Sequence, residues 1–273
     1  MSLLIKFKGQ KLWKDSLTIA LTIFSLIGVC MGIGAFSLES IDRWYIRLLL
    51  IFLTFCFIFI MVIILKVIYT KKRITLSIRG INVEIKQGDI FKANGWKLIP
   101  FNERYDTKVD DVIISHSSLN GIFIDKYVKD DKNKLVKTIT KDTGNLKYIT
   151  SSGKQISCLG RIIPYNNEYM LLAFTHMNEQ NEAHISLSEY ENCLRQMWKE
   201  ISRTYAGRPV CLPLLGGGIT RFDDKNEKSE FELLKCIICT LRTSNVHINK
   251  PITIFLTENT IKKINIYELK GVC

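Results

Sequence analysis

The residues best suited to chemistry in this 273-residue chain are three consecutive glycines, Gly216, Gly217 and Gly218, which close the apolar run Val210–Leu215. Successive glycines let the backbone approach a ligand closely and direct several N–H groups at phosphate or pyrophosphate oxygens. The Lys-Ser/Thr pair of a P-loop does not follow them, and they do not form a GxGxxG pattern. The glycines therefore predict a phosphate-binding turn, with a plain flexible turn as the alternative.

A sheet is predicted to hold this turn in place. Alternating apolar and polar residues over short windows predict strands. The candidate windows are Thr75–Ile85, Lys97–Phe101, Val112–Ser115, Leu135–Ile139, Gln155–Ile163 and Tyr169–Thr175. The continuous apolar runs Val210–Leu215 and Ile252–Leu256 are typical of strands buried on both faces. Ligands of open α/β sheets bind beyond the carboxyl ends of the strands, and the glycines stand at such a place.

Two amphipathic helices are predicted beside the buried strands. Ser188 with Glu191, and Ser229 with Glu232, form the Ser-x-x-Glu pattern of a capping box, which marks a helix start. The apolar period changes in these segments from two residues to about 3.6 residues. The alternation of strands and helices predicts an α/β domain whose central sheet is covered by helices on its faces.

Two apolar stretches, residues 17–38 and 45–69, precede this domain. Each is long enough to cross a bilayer, which takes roughly 20 helical residues. They predict a transmembrane helical hairpin over residues 1–72 and a soluble domain over residues 73–273. A cleaved signal peptide is the alternative for the first stretch. Lysines precede the first stretch and basic residues close the second, so we expect a multi-pass protein with both termini in the cytoplasm.

Small residues in the first stretch suggest close helix packing. Gly28 and Gly32 form a GxxxG pattern, with Gly34 and Ala35 nearby. Such residues let helices approach each other in lipid. The pattern predicts either association between copies of the chain or packing within one hairpin.

The composition argues against several other kinds of site. The formal net charge is +12, but much of the excess lies beside the apolar stretches and in Lys126–Lys154, where lysines alternate with aspartate, asparagine and threonine. Nucleic acid is therefore not predicted as a partner. The eight cysteines are expected to be free thiols in a reducing compartment. Cys236 and Cys239 have no second pair at zinc spacing, and the histidines form no close pair, so no metal site is predicted.

Four segments in order resemble the macro domain. They are GDIF at Gly88–Phe91, IPFNERYDTKVDD at Ile99–Asp111, SLNG at Ser118–Gly121 and PLLGGGITRF at Pro213–Phe222. They are most similar to the divergent branch found in the membrane-anchored ThsA-type effectors of Thoeris antiphage defence, which also have two N-terminal spans. The resemblance covers about residue 74 to the C-terminus. It implies a three-layer α/β/α domain with a mixed central sheet.

The resemblance implies a site for ADP-ribose or a related nucleotide. Asp89 matches the aspartate that accepts a hydrogen bond from the adenine amino group, with Ile90 beside it, and Asn102 matches the loop next to the distal ribose. The implied set is completed by Tyr105 and Asp106 in that loop, by the diphosphate-facing turn Leu119, Asn120 and Gly121, and by the second phosphate loop Gly216, Gly217, Gly218 and Ile219 with Arg221 and Phe222 beside it.

Catalysis is not expected from this set. Macro hydrolases commonly carry an NAAN-like first loop and a glycine run in the other loop, whereas this chain has Asn102-Glu103-Arg104-Tyr105 and only Gly121. We therefore predict a binding protein with no catalytic residues, no metal and no cofactor.

The resemblance also implies how such a binding protein works. It implies an effector in the bacterial inner membrane that binds an ADP-ribose derivative made by a TIR-domain partner, with an amino-acid conjugate of ADP-ribose as one candidate. Binding would trigger homo-oligomerisation and membrane disruption. The alternatives are a membrane-tethered hydrolase of ADP-ribosyl groups or of a nucleotide signal, and a scaffold that recruits ADP-ribosylated proteins.

Overall fold

The computed structural model of the chain describes residues 9–33, 43–69, 73–129, 131–143, 148–149, 155–223 and 228–272. These residues form two compact units. The hairpin unit contains the residues up to Ile74 together with Ile261–Gly271, and the α/β unit contains Thr75–Thr260 with Val272. The boundary at residue 72 stays a prediction, and nothing in the sequence indicates that a C-terminal segment joins the hairpin unit.

The hairpin unit contains two long apolar helices, α1 (Gln10–Ile33) and α2 (Trp44–Tyr69). Both are long and apolar enough to cross a membrane. The helices pack through aromatic rings, with the centroids of Phe24 and Phe55 5.6 Å apart in an edge-on contact. Helix α1 begins seven residues before the predicted span because its first two turns, although polar, are held by contacts with the C-terminal segment. Residues 34–38, with Gly34 and Ala35, lie outside the described residues.

One mixed sheet of nine strands runs through the described residues. The strands in chain order are β1 (Arg73–Ile78), β2 (Ile81–Gln87), β3 (Trp96–Asn102), β4 (Tyr148–Ile149), β5 (Gln155–Ile156), β6 (Ile162–Tyr165), β7 (Tyr169–Met177), β8 (Ala183–Ile185), β9 (Val210–Pro213), β10 (Arg221–Phe222) and β11 (Ile252–Leu256). The spatial order is β1-β2-β11-β9-β3-β7-β8-β10, with β6 on β7 and with β4 and β5 as a separate pair. Strands β2, β11, β9, β3 and β7 are parallel, so their carboxyl ends meet at one edge.

Helices cover both faces of this sheet. They are α3 (Leu119–Ile122), α4 (Lys132–Thr143), α5 (Leu187–Thr204), α6 (Glu230–Thr243) and α7 (Glu258–Lys263). On one face, Phe101 and Leu171 pack with Phe123 and with Leu135 of α4. On the other face, the ring of Phe174 meets that of Tyr190 in α5 at 5.9 Å. This arrangement agrees with the layered α/β fold implied by the resemblance.

The central strands follow their sequence patterns, the predicted strand Gln155–Ile163 is divided between β5 and β6, and two predicted strands are wrong. Leu135–Ile139 lies in helix α4, because Leu135 and Ile139 are four residues apart and bury the same helical face. Val112–Ser115 is an irregular loop in which Asp110 Oδ1 accepts hydrogen bonds from the N–H groups of Val112 and Ile113. A carboxylate that bonds its own backbone in this way competes with strand pairing.

The capping box of α5 lies two residues before its predicted place. Ser186 caps the helix with Glu189, not Ser188 with Glu191, and the capping box of α6 at Ser229 and Glu232 is confirmed. The segment S-L-S-E-Y-E contains both Ser-x-x-Glu spacings. The helix begins at the first of the two serines, and Tyr190, Leu194 and Trp198 lie on its buried face.

One buried hydrogen bond joins the two large helices. Trp198 Nε1 of α5 donates to Thr240 Oγ1 of α6 at 3.1 Å. We expect Thr240→Val to lower the free energy of unfolding by about 1–3 kcal/mol, because the indole N–H is left buried without an acceptor. Urea unfolding of the full-length protein in detergent, followed by tryptophan fluorescence, measures the change.

The matched control is Thr243→Val, one turn later and exposed on the same helix. Both threonines donate to the carbonyl four residues earlier, and each accepts a hydrogen bond from α5, Thr240 from buried Trp198 and Thr243 from exposed Arg195. The pair therefore compares a buried contact with an exposed one. Equal losses from the two variants would contradict a special role for the Trp198–Thr240 bond.

Candidate functional site

A cavity of about 450 Å³ opens at the edge where the carboxyl ends of the parallel strands meet. Its wall is formed by the ends of β3, β7 and β11, by the turn around α3 and by the loop between β9 and β10. Of the predicted site residues, Asn102, Leu119, Asn120, Gly216, Gly217, Gly218 and Ile219 line it. Within the part of the chain that the structure describes, every lining residue is apolar, a glycine, or a hydroxyl or carboxamide side chain, and none is ionisable.

The loop between β9 and β10 is fixed by a hydrogen bond from the core of the α/β unit. The hydroxyl of buried Tyr190 donates to the carbonyl of Leu215 at 3.1 Å. Gly216 has a φ of 82°, which favours glycine, and a Cβ there would lie 3.1 Å from the ring of Phe222. Gly217 and Gly218 are exposed, and a Cβ on Gly218 would meet nothing within 4 Å. Both glycines line the cavity, and at Gly218 a side chain would meet no neighbour.

A second turn faces the cavity at the start of α3. Ser118 caps this helix by accepting from Gly121 N at 3.0 Å, and its own hydroxyl donates to the Ser115 carbonyl at 2.7 Å. A Cβ on Gly121 would overlap the Ser115 carbonyl, so only glycine lets the turn close. Asn120 lines the cavity, and its Oδ1 is buried with no hydrogen-bond partner among the described residues. An unpaired buried acceptor of this kind is available to a ligand donor.

Asn102 stabilises the first loop as well as lining the cavity. Its Oδ1 accepts from the N–H groups of Arg104 and Asp106, each at 3.1 Å, and its Nδ2 donates to Asp106 Oδ2 at 2.8 Å. Tyr105 has a φ of 52° and points into the core, where its hydroxyl donates to the Arg161 carbonyl. Burial raises the pKa of the Tyr105 hydroxyl well above its usual range. Tyr105 and Asp106 thus shape the loop and do not line the cavity.

The remaining predicted residues also lie outside the cavity wall. Asp89 is exposed and caps a short helical turn through Phe91 N, two residues beyond the carboxyl end of β2, while Ile90 is buried. Gly121 is buried behind the α3 turn. Arg221 forms an ion pair with Glu182 at 2.6 Å, and Phe222 packs on Tyr190 at 5.5 Å. As a ligand-binding set, these residues stay predictions.

A charged network stands behind the ends of β3 and β7. His176 Nδ1 lies 2.5 Å from Glu103 Oε2, and His176 Nε2 lies 3.2 Å from Glu189 Oε1. Glu103 is almost fully buried, and Glu189 belongs to the α5 capping box. The hydrogen bond from Glu103 favours the imidazolium and raises the pKa of His176, although partial burial opposes the shift. The network ties the first loop to β7 and α5.

Comparison with known proteins decides the family. A family model described as the macro domain of Thoeris protein ThsA matches residues 83–257. Over 278 aligned residues the chain is 35% identical to Thoeris protein ThsA of Bacillus amyloliquefaciens (strain Y2), covering 98% of this chain and 91% of that protein. The chain belongs to the ThsA family of Thoeris proteins. The predicted family is thus confirmed.

The ThsA-family chain also resembles solved macrodomains. The macrodomain of Oceanobacillus iheyensis with ADP is 11% identical, with a TM-score of 0.47, and the match covers 73% of this chain and 96% of that chain. A glycine-to-valine variant of that macrodomain with ADPR is 12% identical, with a TM-score of 0.48 and 73% and 98% covered. The predicted fold class, two apolar helices followed by a macro-like mixed α/β domain, is confirmed.

Several lining residues of this ThsA-family site were not predicted from the sequence. They are mostly hydroxyl and small apolar residues: Ser115, Ser117, Met177, Ala183, Thr220, Thr257 and Thr260. The polar run S-H-S-S before L-N-G was a visible signal for the serines. Thr220 lies in the loop between β9 and β10, whereas Thr257 and Thr260 follow β11. The parallel register that brings Thr257 and Thr260 to the cavity edge is not visible in the chain alone.

The raised pKa of His176 predicts a pH-dependent stability. Since the folded pKa lies above the ordinary value of about 6.5, the stabilisation is fully present below that pH and is lost as the pH rises through the folded pKa. We expect the melting temperature of the full-length protein to fall over this window, and His176→Asn to remove that component. His247→Asn, at an exposed histidine, is the control. An unchanged profile in His176→Asn would contradict the assignment.

Proposed function

We propose that this ThsA-family chain is a membrane effector of antiphage defence. Its α/β unit binds an ADP-ribose derivative made by a TIR-domain partner, and an amino-acid conjugate of ADP-ribose is one candidate. The bound state leads to homo-oligomerisation and membrane disruption. The proposal rests on the uncharged cavity at the carboxyl edge of the sheet, combined with family membership and two apolar helices.

The cavity suits a nucleotide diphosphate for physical reasons. Its volume of about 450 Å³ lies within the range typical of small-molecule sites. The glycine loop offers backbone N–H groups to phosphate oxygens, as anion-binding loops do. The buried Oδ1 of Asn120 offers an acceptor for a ribose hydroxyl, and the apolar wall suits a base.

The uncharged wall favours sensing over hydrolysis. A hydrolase needs a general base within hydrogen-bond reach of the attacking water. The lining residues in the described chain supply only hydroxyls, carboxamides and backbone groups. The carboxylates of Asp106 and Glu230 bond the lining residues Asn102 and Thr260 but are not part of the wall themselves. His176 and Glu103 are bonded to each other and also lie outside the wall. These features support a bound ligand that is retained unchanged.

The hairpin is the part of the chain proposed to disrupt the inner membrane when the ligand binds. The start of α1 and the end of α2 lie at the same end of the hairpin unit, where both contact the C-terminal segment through Leu12, Val67 and Tyr267. This arrangement supports a topology with both chain termini on the cytoplasmic side. Two spans are too few to enclose a wide pore, so several copies must associate to disrupt a membrane.

Binding to the glycine loop is tested by a pair of substitutions at Gly218, where a Cβ meets no neighbour. Gly218→Glu places a carboxylate beside the phosphates and should weaken binding by about 100-fold or more, since opposed like charges cost several kcal/mol. Gly218→Ala should keep the affinity within about threefold. Calorimetric titration of the full-length protein in nanodiscs, with ADP-ribose and its amino-acid conjugates, measures both.

Mass spectrometry of the recovered ligand completes this test. We expect an intact ligand after prolonged incubation. Cleavage would support the hydrolase alternative, and wild-type affinity in Gly218→Glu would place the binding site elsewhere.

A further inference from the structure

The C-terminal segment Ile266–Gly271 belongs to the hairpin unit and contacts the start of α1. The carboxylate of Glu268 accepts hydrogen bonds from the N–H groups of Lys11 at 3.4 Å and of Leu12 at 3.3 Å. These groups belong to the first turn of α1, whose N–H groups have no partner within the helix. Glu268 therefore caps the first apolar helix from the far end of the sequence.

Tyr267 makes a second contact with the same helix. Its hydroxyl donates to Asp15 Oδ2 at 2.7 Å, and its ring is almost fully buried with Leu12, Ile63 and Val67. The ammonium groups of Lys66 and Lys270 lie over the ring, 5.5 Å and 4.9 Å from its centroid. Tyr267 thus holds α1 and α2 together at one end of the hairpin.

Gly9 leaves the room that the Glu268 carboxylate needs. A Cβ at Gly9 would overlap that carboxylate. Any larger residue at this position would displace the end of the Glu268 side chain from the start of α1. The contact therefore needs both a glycine before the helix, which leaves space, and a glutamate near the C-terminus, which accepts the hydrogen bonds.

The chain itself joins this contact to the cavity. Thr257 and Thr260 line the cavity, and Thr260 Oγ1 lies 3.2 Å from Glu230 Oε1 of α6. Only residues 261–266 separate Thr260 from Tyr267. Helix α7 includes Thr260 and the first three of these residues, so the connection along the chain is short.

We propose that Tyr267 and Glu268 form a clasp that holds the hairpin in its resting arrangement and that nucleotide binding at Thr257 and Thr260 releases. This inference deepens the proposed function and rests on it. The clasp stabilises the resting state, and the ligand binds the released state more tightly, as any ligand-driven shift requires. The clasp contains three hydrogen bonds, two to Glu268 and one from Tyr267, which is few enough for the binding of a small ligand to shift the equilibrium.

The test uses the full-length protein in dye-loaded liposomes. Without nucleotide, Glu268→Gln, Tyr267→Phe and Gly9→Ala each raise dye release about three- to tenfold over wild type, the shift expected for one lost hydrogen bond. Glu179→Gln and Tyr127→Phe are the matched controls, because both residues are exposed in the α/β unit, and they leave release unchanged. By linkage, the clasp variants also bind ADP-ribose more tightly by the same factor.

Hydrogen exchange gives a readout that does not depend on membrane damage. Saturating ADP-ribose raises the exchange rate of the Lys11 and Leu12 amides in wild type, and Glu268→Gln raises it without nucleotide. Clasp variants with unchanged exchange at these amides overturn the clasp, and so do clasp variants with wild-type dye release when nucleotide triggers release from wild type. If wild type neither binds nor releases dye with ADP-ribose or its amino-acid conjugates, while Glu268→Gln still raises the exchange, the proposed function fails and the structural clasp stands.

Discussion

The proposed function depends on one constraint: an anionic ligand would have to be held by a wall that contains no charged side chain in the described chain. Backbone N–H groups, hydroxyls and carboxamides would then have to bind the negative charge that arginine or lysine binds in other sites. Such groups work only when they are fixed in direction before the ligand arrives, because their dipoles are weak individually. The supporting contacts of Tyr190, Ser118 and Asn102 serve this purpose by holding three loops in place.

The sequence predicts the parts of the fold in which local pattern and burial agree. Strand β11 matches its apolar run, and the α6 capping box stands where its spacing places it. The prediction fails where one pattern admits two interpretations, as in Leu135–Ile139, where Leu135 and Ile139 suit either period. It also fails where a side chain such as Asp110 bonds its own backbone. Burial against the rest of the fold decides these cases, and it is not visible in a single chain.

The candidate site shows the same limit. Seven of the residues implied by the resemblance line the cavity. They could be predicted because glycine turns and polar turns have a recognisable local sequence. Tyr105 faces the core because a positive φ turns it inward, and Thr257 and Thr260 enter the wall through the parallel register of β11. The clasp of Tyr267 and Glu268 on α1 joins residues more than 250 positions apart, and no spacing rule indicates it.

The central claim is that an occupied cavity changes the behaviour of the hairpin in a membrane. The most direct measurement is dye release from liposomes that contain the full-length protein, recorded as ADP-ribose and its amino-acid conjugates are added. The account predicts release that saturates with cavity occupancy for at least one of these compounds and that Gly218→Glu abolishes. Intact liposomes at full occupancy, or equal release from Gly218→Glu, would contradict it.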